Sequence, residues 1–161
     1  MKKEVRLYNV LFPVWMLVWI PSYLWIFLIP ANYLIDRFVL KKSLSGDLDK
    51  DVFLKKHTWK ICIAGFFSDL IGSLAMFGSL YVTEEDNRLV NAITFDPFSD
   101  LRAFLFVSLM VFISAVLIYF IDKKILKKAG LDDMQAKRSA LFMAVFTAPY
   151  MFLFPSGWIY S

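Results

Sequence analysis

Between Leu7 and Ile35 the chain runs for 29 residues without a charged side chain. A helix needs about 20 predominantly apolar residues to cross a bilayer core, so this stretch alone is long enough. Three more follow. Ile61–Thr83 is 23 residues interrupted only by Asp69, Ala103–Ile121 is 19 with no charge, and Ser139–Ser161 is 23 with none. Together they hold 94 of 161 residues, more than the core of a soluble domain of this length requires. Composition agrees, with 59% hydrophobic residues against about 45–50% in ordinary soluble domains. The expected fold is all-α: one transmembrane domain, an integral membrane helical bundle of four hydrophobic elements at 7–35, 61–83, 103–121 and 139–158. The first element is expected to be kinked by prolines or re-entrant.

Loop charge sets the orientation. Lysines and arginines number 3 before Leu7, 7 in Asp36–Lys60, 2 in Glu84–Arg102 and 6 in Asp122–Arg138. Basic loops face the cytoplasm, which puts 36–60 and 122–138 inside, 84–102 outside and Ser161 outside. The first run fits less simply. Its 29 residues would reach about 43 Å as one helix, against a core of about 30 Å. A single tilted span kinked at Pro13, Pro21 or Pro30 is the favoured reading, and a re-entrant segment with both ends inside is the alternative. The run also exceeds the 7–15 apolar residues of a secretory signal, so it is expected to remain in the mature protein.

Helix punctuation supplies boundaries. Asp96-Pro97 reads as an N-cap with proline at the first helical position, opening a helix that ends at Gly130. Asp132, with Gln135 three residues on, reads as a capping box for the fourth helix, and Asp47 as the start of the helix leading into the second span. Asp36-Arg37 reads as an ion pair at the membrane interface. His57, among Lys55 and Lys56, is expected to be solvated.

Chemistry-bearing residues are few. One cysteine, Cys62, and one histidine, His57, cannot make a zinc site or a disulfide, and no metal or cofactor is expected. The net charge of +4 comes from lysine-rich loops, where topology explains it without nucleic acid. Cys62 sits at the membrane edge, where palmitoylation would be the only chemistry to consider. No nucleophile–base pair or phosphate loop is present, so a non-enzymatic role is expected.

Asp69 is the one charge within the runs. An aspartate at the bilayer centre costs about 2.5–3.5 kcal/mol on insertion scales, so it must be solvated, paired or protonated. One reading makes it a proton or cation site in a transport path. The other makes it a neutral acid hydrogen-bonded to Thr147, Asn32 or Ser114, beside Ser68. Small residues at Gly65, Ser68, Gly72, Ala75 and Ser79 recur every three or four positions along one face. Ala140, Ala144 and Ala148 form a matching ladder in the fourth element. Small faces let helices approach closely in lipid, so the second and fourth spans are expected to pack together, or one face to make a dimer. Tyr81, Trp158, Tyr160, Trp59 and Tyr119 suit interfacial belts. Trp15, Trp19, Tyr23 and Trp25 form an aromatic cluster that could cage a quaternary ammonium or a lipid headgroup, or simply pack.

Leu7-Tyr8-Asn9-Val10-Leu11-Phe12-Pro13, Ile29-Pro30-Ala31-Asn32, Gly65-Phe66-Phe67-Ser68-Asp69-Leu70-Ile71-Gly72 and Phe146-Thr147-Ala148-Pro149-Tyr150 together resemble a group of short multi-pass membrane proteins of Gram-positive bacteria. The resemblance covers nearly the whole chain. It implies the architecture above and a bacterial plasma membrane; no activity is known for the group. The leading functional expectation is a helix-packing module that contacts the lipid bilayer and self-associates or binds a larger membrane partner. A small oligomeric transporter or channel using Asp69 is the alternative, and a lipid-binding protein a weaker one.

Overall fold

The computed structural model describes residues 15–16, 23, 25–46, 49–82 and 86–159. Five α-helices account for most of them: α1 (Trp25–Ser43), α2 (Lys50–Val82), α3 (Asn87–Phe95), α4 (Leu101–Lys128) and α5 (Asp133–Phe146). Short 3-10 turns occupy Pro97–Ser99, Tyr150–Leu153 and Ser156–Ile159. The described residues form an all-helical structure.

Aspartates open α2, α3, α4 and α5. Asp49 accepts from the Val52 N–H at 3.2 Å at the start of α2, whereas Asp47 lies outside the described residues. Asp96 caps only the 3-10 turn that begins with Pro97, and Asp100 caps α4 by accepting from the Arg102 N–H at 2.8 Å. The Asp96-Pro97 start is therefore displaced: proline serves the short turn, and the long helix waits for the next aspartate. Asp132 caps α5 as expected, accepting from the Gln135 N–H at 2.8 Å. The box is not reciprocal, because the Gln135 amide donates to the Ser45 carbonyl and ties α5 to the end of α1.

Gly130, at φ +99°, ends α4. Its N–H bonds the Lys127 carbonyl and the Leu131 N–H reaches back to Leu126, which closes the last turn and buries both leucines in one cluster. A left-handed residue is required there, and glycine adopts that conformation without a Cβ penalty.

Helix lengths redraw the four expected elements. α2 and α4 are long and apolar enough to cross a membrane. α1 (Trp25–Ser43) continues past Asp36 into the stretch expected to be a basic loop. Pro30 lies inside α1; Pro13, Pro21 and most of 7–35 lie outside the described residues, and with them the choice between a span and a re-entrant segment. The fourth element is not a continuous helix over 139–158. α5 has 14 residues, about 21 Å, and Pro149 follows its end. The residue before a proline is pushed away from helical angles, and the chain goes on as 3-10 turns.

The helices pack in a ring, α1 on α2, α2 on α4, α4 on α5 and α5 on α1. This corrects the expected pairing of the second and fourth spans: α2 and α5 stand across the bundle, and each meets α4. One apolar cluster, with Leu40, Leu54, Ile61, Ile118, Leu126 and Met143, fills the end near the basic loops. A second, with Met76, Ile93, Val107, Met110 and Phe152, fills the end under α3. Between them α2 and α4 touch at Ser68, Gly72 and Ser114, where the Ser114 hydroxyl donates to the Ser68 carbonyl at 3.2 Å.

The small-residue stripe makes contact only at its centre. A Cβ on Gly65 would meet nothing within 4 Å, Ala75 is exposed and Ser79 is half-buried, bonding its own helix at Met76. Ala140, Ala144 and Ala148 are all buried. The interior holds Thr58, Ser68, Ser73, Ser114 and Ser139, while Leu105, Leu109, Phe112, Phe120, Leu141 and Phe146 face outward. Small and polar residues inside with large apolar residues outside is the distribution expected when the surroundings are themselves apolar.

Candidate functional site

Asp69 opens onto a cleft of about 180 Å³ between α1, α2 and the chain that follows α5. Trp15, Trp25, Phe66 and Phe152 give it aromatic walls, and Asn32, Asp69 and Thr147 give it polar atoms. Trp15, Trp25, Asn32, Asp69 and Thr147, singled out from residue type and position, thus meet in one place, while Phe66 and Phe152 were not singled out. Trp25 stacks on Phe66 with ring centroids 6.1 Å apart and planes 11° from parallel, which fixes one wall. Trp15 is buried, and its indole N–H has no hydrogen-bond partner. Tyr23 is 89% exposed and is not among the lining residues, and Trp19 lies outside the described residues, so of the expected aromatics that are described, Trp15 and Trp25 build the site.

The hydrogen bonds proposed to neutralise Asp69 are not formed. Thr147 donates to the Met143 carbonyl at 2.8 Å, continuing the turn that ends α5. Ser114 donates to Ser68, and the Ser68 hydroxyl itself donates to the Ala64 carbonyl at 2.9 Å. Each hydroxyl prefers a nearby carbonyl that its helix leaves accessible. Among the described residues Asp69 Oδ1, which is enclosed, has no hydrogen-bond partner, and none of those lining the cleft is basic.

Two further carboxylates are buried below it. Asp36 was expected in an interfacial pair with Arg37, but Arg37 turns outward to Asp51 at 3.9 Å while Asp36 faces inward. There it accepts from the Cys62 thiol, which is buried as well. That burial removes the case for Cys62 as a surface modification site. Asp122, expected to begin a basic loop, is fully buried within α4, and neither of its carboxylate oxygens has a partner. Asp36 lies within electrostatic reach of both Asp69 and Asp122. His57 is not solvated either: it is 8% exposed and packs on the Phe53 ring at 4.6 Å.

A helix-phase signal could have found the two missed acids. Asp36 is four residues before the buried Leu40, and Asp122 lies midway between the buried Ile118 and Leu126. Such i, i+4 spacing puts each on the inward face. Groups of three or more acidic, histidine or cysteine side chains arranged to hold a metal are absent among the described residues. Chemically the arrangement is an uncompensated carboxylate in an aromatic cleft, with two more carboxylates deeper in the same bundle. Comparison with protein-family models, curated proteins and solved structures gives no match.

Proposed function

We propose that the chain is a multi-pass membrane protein that binds a small monovalent cation of the ammonium class in the Asp69 cleft and passes it across, as a carrier or a channel. The observation that carries this reading is the enclosed Asp69 oxygen, which has no hydrogen-bond partner and no basic side chain beside it in the cleft among the described residues. A carboxylate in apolar surroundings needs a positive partner, and aromatic faces add attraction for a cation that sheds part of its hydration. Size narrows the occupant. Drug-sized ligands take clefts of about 300–1,000 Å³, so a space near 180 Å³ suits an ion or a methylated amine. The bilayer setting rests on α2, α4 and the outward apolar faces, and a bacterial plasma membrane on the resemblance described above.

Thermal unfolding in detergent, titrated with ammonium, methylammonium and potassium salts at constant ionic strength, tests this reading. Binding to the folded state raises its stability by about 2.7 kcal/mol at a hundredfold excess over Kd. Wild type is expected to gain stability with at least one of these cations, and Asp69→Asn to lose that gain while folding normally. No gain in wild type, or an equal gain in both proteins, overturns it.

A second reading has its own observation. An apolar groove of about 550 Å³ runs between α4 and α5, lined by Val111, Phe112, Ala115, Tyr119, Leu141 and Ala144. It supports the helix-packing role, with a partner helix in the groove, and a mass measurement of the complex extracted from membranes distinguishes a stoichiometric partner from bound lipid.

A further inference from the structure

Below the cleft, four helices carry buried oxygen-bearing side chains beside one apolar cluster. Thr58 on α2 lies between the core residues Leu54 and Ile61, Asp122 on α4 between Ile118 and Leu126, and Ser139 on α5 between Ala136 and Met143. Those flanking residues belong to one apolar cluster, so the three polar side chains share its interior. Asp36 enters from α1 one turn before Leu40, close enough to act electrostatically on Asp122. Thr58 Oγ1, Ser139 Oγ and both Asp122 oxygens are enclosed, and none reaches a hydrogen-bond partner. Serine and threonine in helices ordinarily bond the carbonyl of the preceding turn, as Ser68 and Thr147 do here. Thr58 and Ser139 forgo that bond. Unpaired buried oxygens cost free energy, and such cost persists where a ligand recovers it.

We infer that Asp36, Thr58, Asp122 and Ser139 form a second cation site, distinct from the Asp69 cleft, that holds a hard monovalent cation, sodium or hydronium. Two carboxylates and two hydroxyls offer only oxygen, the donor type that hard cations select. The neighbouring charges leave the place open. On α1, Arg37 and Lys41 turn to Asp51; on α2, His57 packs on Phe53 and the Cys62 thiol bonds Asp36. On α5, Lys137 pairs with Asp133 at 2.6 Å. On α4, Lys123 follows Asp122 directly in sequence but is half-buried on another side of the helix, and Lys124 is exposed. Asp69 on α2 lies within electrostatic reach of Asp36. This inference extends the cation-handling function proposed above to a second position, but its geometry does not use the cleft.

The test is thermal unfolding of the full chain in detergent, with sodium chloride replaced stepwise by N-methyl-D-glucamine chloride, whose cation is too bulky for the Asp69 cleft, at constant ionic strength, repeated from mildly acidic to mildly alkaline pH. Sodium occupancy predicts a rise in unfolding temperature with sodium that the bulky cation does not give. Hydronium occupancy predicts indifference to sodium and a rise with acidity that Ser139→Ala also reduces, since protonation of a lone carboxylate would not need the Ser139 hydroxyl. In either case Asp122→Asn is expected to lose the response. With sodium, Ser139→Ala should need a concentration about tenfold higher or more for the half-maximal effect. Asp69→Asn should keep the sodium response, so failure of the cleft reading leaves this result intact, and failure here leaves the ammonium titration intact. A wild-type protein indifferent to both sodium and pH overturns the inference, as does an Asp122→Asn variant that responds as wild type does. Should Asp122→Asn fail to fold, Ser139→Ala decides the sodium case and Asp36→Asn the acid case by the same criterion.

Discussion

The Ser114 hydroxyl stands where a Cβ on Gly72 would have to go. Phe152 Cε2, at 3.1 Å from the same point, and the Met110 carbonyl oxygen, at 3.5 Å, close the remaining space. Gly72→Ala should therefore push α2 and α4 apart, at the about 1–3 kcal/mol typical of an overpacked contact. Gly65 is the internal control. It lies on the same helix with nothing near its would-be Cβ, and Gly65→Ala should gain about 0.5–1 kcal/mol from helix propensity. Adding Ser114→Ala to Gly72→Ala should restore part of the loss, since the nearest clashing atom goes. Unfolding of the four proteins in one detergent checks this; equal stability of Gly72→Ala and Gly65→Ala contradicts it.

Asp132 caps the N-terminus of α5, and the helix it opens is short. Replacing an N-cap aspartate by alanine costs about 0.5–2 kcal/mol. Asp132→Ala should lose that amount and Asp132→Asn almost none, because the amide oxygen can still accept from the Gln135 N–H. Gln135→Ala removes a different link, the one to Ser45, and its loss should add to that of Asp132→Ala. Chemical denaturation of the two single variants and the double variant measures both.

How much of this was legible in the residues depends on what each signal could carry. Asp69 was visible because it interrupts an uncharged run. Asp36 and Asp122 were not, because each sits beside a basic residue, Arg37 or Lys123, at the edge of such a run. There a charge is ordinarily solvated; only helix phase separates an inward aspartate from its outward neighbour. The cleft was legible in its parts, Asn32, Asp69, Thr147, Trp15 and Trp25, but not as an assembly, which depends on the chain turning after α5 at Pro149. Small-residue spacing showed that close approach was available on α2. It could not name the partner, because a ladder of small residues fits any helix that presents a matching surface, and α4 supplied Ser114. Uncharged length overstated the fourth helix for a similar reason: hydropathy does not register that Pro149 and Pro155 stop a helix.

The end of the bundle under α3 is held by charges that titrate in acid. Arg102 bonds Asp100 at 3.1 Å and Asp86 at 3.1 Å, and both aspartates also cap helices. The Arg102 guanidinium first, and the N–H groups at the start of α4 with it, hold Asp100 down at about 2. Asp86 is lowered chiefly by the Leu89 N–H. Carboxyl groups in unfolded chains titrate near pH 4, so this contribution is complete above about pH 4 and disappears as pH falls through the folded value. Stability should decline between about pH 4 and 2, and Asp100→Asn should flatten that decline. An unchanged acid limb in Asp100→Asn would show that Asp100 is not tied to Arg102 in solution.

Opposite ends of the bundle should also face opposite sides of the membrane. Asn91, exposed on α3, and Met134, exposed on α5, lie at the two ends of α4, which is 28 residues and about 42 Å long. A bilayer core of about 30 Å fits between them. Lysines concentrate at the Met134 end, with Lys123, Lys124, Lys127 and Lys128 on α4 and Lys137 on α5, and basic residues favour the cytoplasmic side. Cys62 is the chain's single cysteine, so Cys62→Ser provides a background without other thiols, and a serine hydroxyl can still donate to Asp36. On that background Asn91→Cys should react with an impermeant maleimide in intact cells. Met134→Cys should react only after the membrane is opened. Labelling of both sites from one side would remove α4 as a spanning helix, and labelling of Met134→Cys alone in intact cells would invert the orientation that the lysines predict.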